Sequence, residues 1–182
     1  MTRAQPPIAE FRKALMSCAG ALCLALPGPA LAQEAAPSNP QIDYAGFLAR
    51  AAALEPVRRD KLLSWEEFAE KARQEGALLL DARSPWAFAQ GHIRGAVNLP
   101  ISDFTDAALA EVIGANPDRP IYIYCNNNFT DNRAPIVTKR VDMALNIQTF
   151  INLHGYGYTN VWELGAMVST SQLGDDWVES AG

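Results

Sequence analysis

A cysteine stands where a short apolar run ends. Residues 121–124 are apolar, include two β-branched isoleucines, and are typical of a short buried strand. Cys125 follows, and then Asn126, Asn127 and Asn128, a residue type that favours turns because its side chain bonds the local backbone. The pattern predicts a thiol at the carboxyl end of a core strand, the edge at which open α/β sheets bind ligands.

A thiol at such an edge is a candidate nucleophile. Its thiolate is the reactive form, and a thiol with the ordinary pKa of about 8.5 is only slightly ionised at pH 7. Backbone N–H groups of the loop and the N-terminus of the next helix would favour the thiolate without any cationic side chain. The alternative is an inert, buried cysteine, because unpaired cysteines are often core residues.

The first 32 residues have the pattern of a signal peptide. A basic start is followed by an apolar run, residues 14–26, which is long enough for a signal core and too short to span a bilayer. Small residues at the spacing that signal peptidase requires predict cleavage before Gln33, export to the periplasm, and no membrane insertion after cleavage. A buried N-terminal helix and lipidation at Cys18 are the alternatives.

Export changes the cysteine count. Of the three cysteines in the chain, Cys18 and Cys23 lie in the predicted signal peptide, so the exported protein keeps only Cys125. A single cysteine cannot form an internal disulfide in an oxidising compartment. It is therefore either a reactive thiol or the partner of a thiol in another molecule.

Length and composition indicate one acidic globular domain with additional terminal segments. The chain has 182 residues, of which 49% are apolar, enough for an ordinary core. The formal net charge of −5 argues against a nucleic-acid partner, whose binding needs an excess of Lys and Arg. We assign residues 33–56 to a tether and an N-terminal helix, residues 57–170 to the domain, and residues 171–182 to a C-terminal tail.

Strands alternate with helices along residues 57–170. The runs 77–80 and 121–124 are continuously apolar, which is typical of strands covered on both faces. Helix starts are marked by capping patterns such as Ser64 followed by Glu67. This order predicts a single α/β domain with a central, mostly parallel sheet and helices on both faces.

Several motifs then occur in an order that resembles one known family. They are the pair Asp81 and Arg83, the Gly-His-Ile-containing run 91–100, Cys125 at its strand end, and the Gly-Tyr-containing run 155–164. In this order they resemble the rhodanese-like domains, and the resemblance covers about residues 57 to 168. It therefore implies the rhodanese-like fold for most of the exported chain.

The resemblance also implies an activity. In this family one cysteine, here Cys125, takes a sulfane sulfur from a small donor, becomes a persulfide, and passes the sulfur to a thiol or to cyanide; a partner protein's thiol is a further acceptor. Asp81 and Arg83 would support the site, and His92 would hold a turn. The resemblance implies no cofactor, and one cysteine with the two distant histidines His92 and His154 does not support a metal site.

The loop departs from the family pattern. Asn126 stands where the family often has Arg, and the segment before the next helix is long. Asp131 occupies the offset at which related phosphatases need Arg, and its charge would repel a phosphate dianion. We predict that Asn126, Asn127 and Asn128 bind substrate through neutral donors, which favours a persulfidated thiol over thiosulfate as sulfur donor.

Two further residues complete the predicted site. Phe129 is predicted to form a pocket wall, the alternative being a loop anchor. Arg133, the nearest cation in sequence, is predicted to orient an anionic donor, the alternative being a surface arginine. The altered loop leaves two other functions open, which are a catalytically inactive binding module and a thiol redox sensor.

Overall fold

The computed structural model describes residues 39–179, so the predicted signal peptide lies outside the described residues. Within this part the strands are β1 (Leu62–Leu63), β2 (Leu78–Asp81), β3 (Gly91–Ile93), β4 (Val97–Asn98), β5 (Ile121–Tyr124), β6 (Val161–Leu164) and β7 (Trp177–Glu179). The α-helices are α1 (Tyr44–Arg59), α2 (Trp65–Ala72), α3 (Pro85–Gln90), α4 (Asp106–Ile113), α5 (Leu145–Gly155) and α6 (Thr170–Leu173). None of these helices combines the length and the hydropathy needed to cross a bilayer.

Five strands form the central sheet in the order β1-β6-β5-β2-β4, and each neighbouring pair is parallel. The inner strands β2 and β5 are buried at every position, because helices and loops cover both faces of the sheet. β3 and β7 form a separate antiparallel ribbon. The predicted α/β fold with a mostly parallel central sheet is therefore confirmed.

Helices cover both faces of the sheet, as predicted. One core cluster lies between the sheet and helices α1, α4 and α5, and includes Leu54, Leu109 and Phe150. The other lies between the opposite face and helices α2 and α6 with the ribbon, and includes Phe68 and Leu173. The sheet is thus the middle layer of three, and its carboxyl edge stays open to loops.

Capping residues set the helix starts that the sequence predicts. Ser64 Oγ accepts from the N–H of Glu67 at 3.3 Å, and Glu67 Oε2 accepts from the N–H of Ser64 at 3.1 Å, which forms the predicted capping box of α2. Ser84 Oγ accepts from the N–H of Ala87 at 3.3 Å and begins α3.

The N-terminal helix is longer than the sequence pattern predicts. α1 continues through Pro56 to Arg59, so the boundary predicted at residue 57 falls inside the helix. Contacts with the domain explain the extension, because Leu54 packs against the core and Arg58 pairs with Glu163.

The C-terminal segment is also more ordered than the term tail implies. Within residues 171–179 lie the end of α6 and β7, which pairs antiparallel with β3. Trp177 packs against Gly91, where a Cβ atom would lie 2.5 Å from its ring, and against Phe129 at 5.2 Å between ring centroids. These contacts join the segment to the core, so it is part of the domain.

Candidate active site

Three parallel strands bring the candidate residues to one edge of the sheet. Asp81 of β2 lies beside Tyr124 of β5, and Glu163 of β6 lies beside Ile123 of β5. Cys125 follows β5 in an extended conformation, two residues after Ile123. Because side chains alternate along a strand, Cys125 and Glu163 point to the same face of the sheet, the face that α5 covers.

Asp81 and Arg83 form a buried ion pair after β2. Arg83 Nη2 donates to Asp81 Oδ2 at 2.6 Å and to the carbonyl of Gly91 at 2.7 Å. Tyr124 Oη donates to Asp81 Oδ2 at 2.7 Å and accepts from the N–H of Ile93 at 3.0 Å. Burial opposes the guanidinium charge, but the hydrogen bonds and charge of Asp81 outweigh it, so the pKa of Arg83 is raised. The pair holds the turn after β2 in place and, through Gly91 and Tyr124, attaches the ribbon to the sheet.

The three asparagines form a short 3₁₀ helix, Asn126–Asn128, after the cysteine. Asn128 Oδ1 accepts from the N–H of Cys125 at 2.9 Å, and Asn128 Nδ2 donates to the carbonyl of Leu164 at 2.6 Å. Asn126 Oδ1 accepts from Arg83 Nη1 at 3.3 Å. These bonds hold the loop against the ends of β2 and β6.

The other asparagine bonds reach the connecting segment, which we define as residues 130–144 between the loop and α5. Asn126 Nδ2 donates to the carbonyl of Val137 at 2.9 Å. Asn127 Nδ2 donates to the carbonyl of Lys139 at 2.9 Å, and Asn127 Oδ1 accepts from the N–H of Lys139 at 3.0 Å. The asparagine amides thus bond within the protein, and the substrate contacts predicted for them stay a prediction.

Phe129 and Arg133 follow the cysteine loop and lie on the side of the ribbon. Phe129 is fully buried and packs edge-on against Tyr124 at 6.0 Å between centroids, so it anchors the loop in the core. Arg133 is exposed and lines a cavity with Trp177 and Glu179 on the ribbon side. Phe129 thus has the role of the predicted alternative, a loop anchor, and the role predicted for Arg133 in orienting a donor stays a prediction.

The thiol of Cys125 is buried and surrounded by backbone donors. The residue is 1% exposed. Its Sγ accepts from the N–H of Asn127 at 3.4 Å, and the backbone N–H groups of Asn146 and Leu145 at the start of α5 also favour the thiolate. Burial raises the pKa of the thiol, the three N–H groups lower it, and the charge of Glu163 raises it. The net shift is upward, so in this conformation the thiol is protonated at neutral pH.

Sequence reasoning missed a second polar group beside the loop. Glu163 is buried in β6 and pairs with Arg58 of α1 through two hydrogen bonds of 2.6 and 2.5 Å. Asn146 Nδ2 donates to Glu163 Oε1 at 3.0 Å and to Asn128 Oδ1 at 2.9 Å. The sequence feature that could have revealed this group is a glutamate within an otherwise apolar strand, because a buried carboxylate requires a hydrogen-bonding or charged partner.

A cavity of about 400 Å³ adjoins the cysteine loop. It is lined by Arg83 after β2, Ser102 and Asp103 on the next loop, and Lys139 and Leu145 beside the cysteine. Because Asn126 of the cysteine loop and Leu145 at the start of α5 both line this cavity, a small ligand bound there would lie beside the loop that carries the thiol.

The remaining candidates have structural roles. His92 Nδ1 lies 2.9 Å from the carbonyl of Phe88, and the two rings stack, which agrees with the predicted role in a turn. His154 packs in α5 with its Nδ1 3.0 Å from the carbonyl of Phe150, and Asp131 accepts from Thr170. Within residues 39–179 no three His, Cys, Asp or Glu side chains are arranged to hold a metal ion.

The chain is similar to parts of two curated proteins. Over 74 residues it is 39% identical to the uncharacterized protein YqhL of Bacillus subtilis (strain 168), covering 41% of this chain and 54% of that protein. Over 60 residues it is 40% identical to the thiosulfate sulfurtransferase GlpE of Pseudomonas putida (strain GB-1), covering 33% of this chain and 51% of that protein. The chain thus spans about half the length of these relatives.

Solved structures and the family pattern complete the comparison. The human single-domain sulfurtransferase TSTD1 is 21% identical with a TM-score of 0.41, covering 58% of this chain and 90% of that one. The rhodanese-like domain of the Alr3790 protein from Anabaena sp. is 25% identical with a TM-score of 0.40, covering 60% and 92%. The pattern of the Rhodanese-like domain family matches residues 64–165, more than half of the chain. This chain belongs to the rhodanese-like domain family.

Proposed function

We propose that this protein is a sulfurtransferase that carries sulfane sulfur as a persulfide on Cys125. The observation that carries the proposal is the position of the buried sulfur, which accepts from the N–H of Asn127 and lies where the N–H groups of Leu145 and Asn146 at the start of α5 favour the thiolate. Ala144, the N-cap of α5, makes no side-chain capping bond, which leaves the helix N-terminus to the thiol. These N–H groups favour the thiolate without a cation and offset part of the effect of burial, which raises the pKa of the thiol.

The proposed reaction has two displacements. The Cys125 thiolate attacks the outer sulfur of the donor, a new S–S bond forms, and the donor's S–S bond breaks, releasing sulfite from thiosulfate or a thiolate from a persulfide. A thiolate or cyanide then attacks the outer sulfur of the Cys125 persulfide. The second S–S bond breaks, the acceptor leaves with the sulfur, and the Cys125 thiolate is regenerated. No net oxidant or reductant is needed.

The buried thiol requires a movement before the first displacement. Cys125 is 1% exposed, so no donor reaches Sγ in this conformation. The connecting segment is bound to the loop by three hydrogen bonds between the side chains of Asn126 and Asn127 and the backbone of Val137 and Lys139. We propose that this segment moves away to admit the donor. An open state that needs only a few bonds to break is well within reach of thermal fluctuation.

The charges around the loop favour a weakly charged donor. The cation at the end of β2, Arg83, is paired with Asp81, and Arg58 is paired with Glu163. A thiosulfate dianion would therefore meet few free positive charges, while a persulfidated thiol carries less charge to be compensated. We propose a low-molecular-weight or protein-bound persulfide as the donor, a thiol or cyanide as the acceptor, and the periplasm as the compartment, on the grounds of the predicted signal peptide.

The test is sulfur transfer by native protein and by Cys125→Ser. Native protein should transfer sulfur from a glutathione-type persulfide to cyanide, measured as thiocyanate, and the variant should lose this activity while its urea midpoint stays unchanged. A second set of reactions with thiosulfate ranks the two donors. Transfer that persists in a folded Cys125→Ser protein would contradict the assignment of Cys125.

The burial of the thiol favours a second candidate function, a binding module without catalysis. A protonated thiol at 1% exposure is a poor nucleophile unless the connecting segment moves. Alkylation of native protein at neutral pH separates the two candidates. Modification of Cys125 within minutes would favour the transferase, whereas a cysteine that resists alkylation until the protein is unfolded would favour the module.

A further inference from the structure

Arg58 and Glu163 form an ion pair beside the cysteine loop. The Glu163 side chain is 4% exposed and that of Arg58 is 31% exposed, so the carboxylate is enclosed while the guanidinium reaches solvent. Both hydrogen bonds, Nε to Oε2 and Nη2 to Oε1, make the pair bidentate. Arg58 belongs to α1, which precedes residues 64–165, where the family pattern matches.

The carboxylate of Glu163 is connected to the thiol loop through one amide. Asn146 Nδ2 has two hydrogens, and it donates one to Glu163 Oε1 and one to Asn128 Oδ1. The same Asn128 oxygen accepts from the N–H of Cys125. An enclosed carboxylate that holds Asn146 thus also holds the loop that carries the sulfur.

Glu163 also acts on the sulfur through its charge. The strand register puts Glu163 beside Ile123, so Cys125 is a diagonal neighbour with a Cα separation of about 8 Å. A second anion at this separation in an enclosed site disfavours the thiolate, and the charge of Arg58 offsets it. The other charged groups around the loop are the Asp81–Arg83 pair on the β2 side and Lys139 on the connecting segment.

We infer that Arg58 is a positioning residue for Cys125, because it neutralises the Glu163 carboxylate and holds it against the asparagine that supports the thiol loop. The inference rests on the proposed function, since it concerns the reactivity of the proposed nucleophile. It assigns a role in the chemistry to α1, an element outside the stretch that the family pattern matches.

The test is the pH dependence of Cys125 alkylation by iodoacetamide, followed in the full chain by mass spectrometry of the Cys125 peptide. Arg58→Gln leaves the Glu163 charge without its cation, so the midpoint of the pH profile should rise by about one unit and alkylation at neutral pH should slow about tenfold. Glu163→Gln keeps an acceptor for Asn146 and removes the charge, so its midpoint should fall below the native one.

Two more variants separate this role from a structural one. Arg59→Gln removes the neighbouring exposed arginine of the same helix, which pairs with Glu55, and should leave the midpoint unchanged. Combining Arg58→Gln with Glu163→Gln should reverse the rise. Opposite shifts in the two single variants are not expected from loss of stability, which urea denaturation reports independently.

The result that overturns the inference is a midpoint that is unchanged in Arg58→Gln, or shifts of the same sign in both single variants. The alkylation profile needs no sulfur donor, so it is separate from the test of transfer. If native protein accepts sulfur from no donor, the proposed function fails. The order of the alkylation midpoints in the variants still decides whether Arg58 raises the reactivity of the Cys125 thiol.

Discussion

Replacing Asn127 by alanine should make Cys125 more accessible. The Asn127 side chain joins the cysteine loop to the connecting segment through two hydrogen bonds with the backbone of Lys139. Alanine removes both and keeps the Asn127 N–H that donates to the sulfur. The loop should therefore keep its shape while the connecting segment becomes easier to displace.

The magnitude follows from the number of bonds. Each half-exposed hydrogen bond contributes about 0.5 to 1 kcal/mol, so losing two should favour the open state by about 1 to 2 kcal/mol. At about 1.4 kcal/mol per factor of ten, alkylation through the open state should accelerate about tenfold. The assay is the rate of iodoacetamide modification of Cys125 at fixed pH, read from the mass of its peptide.

Asn160→Ala is the matched control. Asn160 also makes two side-chain hydrogen bonds, to the carbonyl of Asp118 and from Trp162 Nε1, but it precedes β6 at the opposite edge of the sheet. It should lower stability by a similar amount without a comparable acceleration. An alkylation rate that is unchanged in Asn127→Ala, or equal in the two variants, would refute the view that the connecting segment controls access to the thiol.

Three further predictions concern stability, measured as urea midpoints. Asp81→Asn leaves the buried Arg83 guanidinium without its anion and should cost about 3 to 5 kcal/mol. Asp142→Asn, in the exposed pair of Asp142 with Arg140, should have little effect, and similar losses in the two variants would contradict the prediction. Burial lowers the pKa of His154, so the stability that its neutral ring contributes is fully present above a pH of about 6.5 and is lost as the pH falls. The urea midpoint of native protein should therefore fall more on acidification than that of His154→Gln. Parallel pH profiles of the two midpoints would contradict this prediction. Gly91→Ala places a Cβ 2.5 Å from the Trp177 ring and should lower stability by about 1 to 3 kcal/mol. Gly155→Ala, whose Cβ would have its nearest contact at 3.6 Å, should be tolerated. A smaller loss of stability at Gly91 than at Gly155 would contradict the close packing of Trp177 against the ribbon.

Much of the fold follows from local patterns in the sequence. Continuous apolar runs such as residues 121–124 are typical of strands covered on both faces, and caps such as Ser64 mark where helices begin. The end of its strand places Cys125 at the carboxyl edge of the sheet, whereas the roles of Asp81 and Arg83 were predicted from the family resemblance. These predictions succeed because each depends on neighbours in sequence or on one general property of parallel sheets.

The parts that sequence reasoning missed depend on contacts between distant segments. The pairing of Arg58 with Glu163 joins residues 105 positions apart, and no local periodicity reports it. Phe129 follows three asparagines, which suggested a pocket, but the core that receives its ring is formed by Tyr124 and Trp177. The sequence shows the length of the connecting segment, but it does not show that the asparagine amides attach this segment to the loop.

The measurement that tests the central claim most directly is the mass of the Cys125 peptide after incubation of the full chain with a persulfide donor and, separately, with thiosulfate. The proposed function predicts addition of one sulfur atom at Cys125, faster from the persulfide, and its removal by cyanide. Absence of added sulfur with either donor, in protein whose Cys125 is open to alkylation, would contradict the account and leave the binding module as the better explanation.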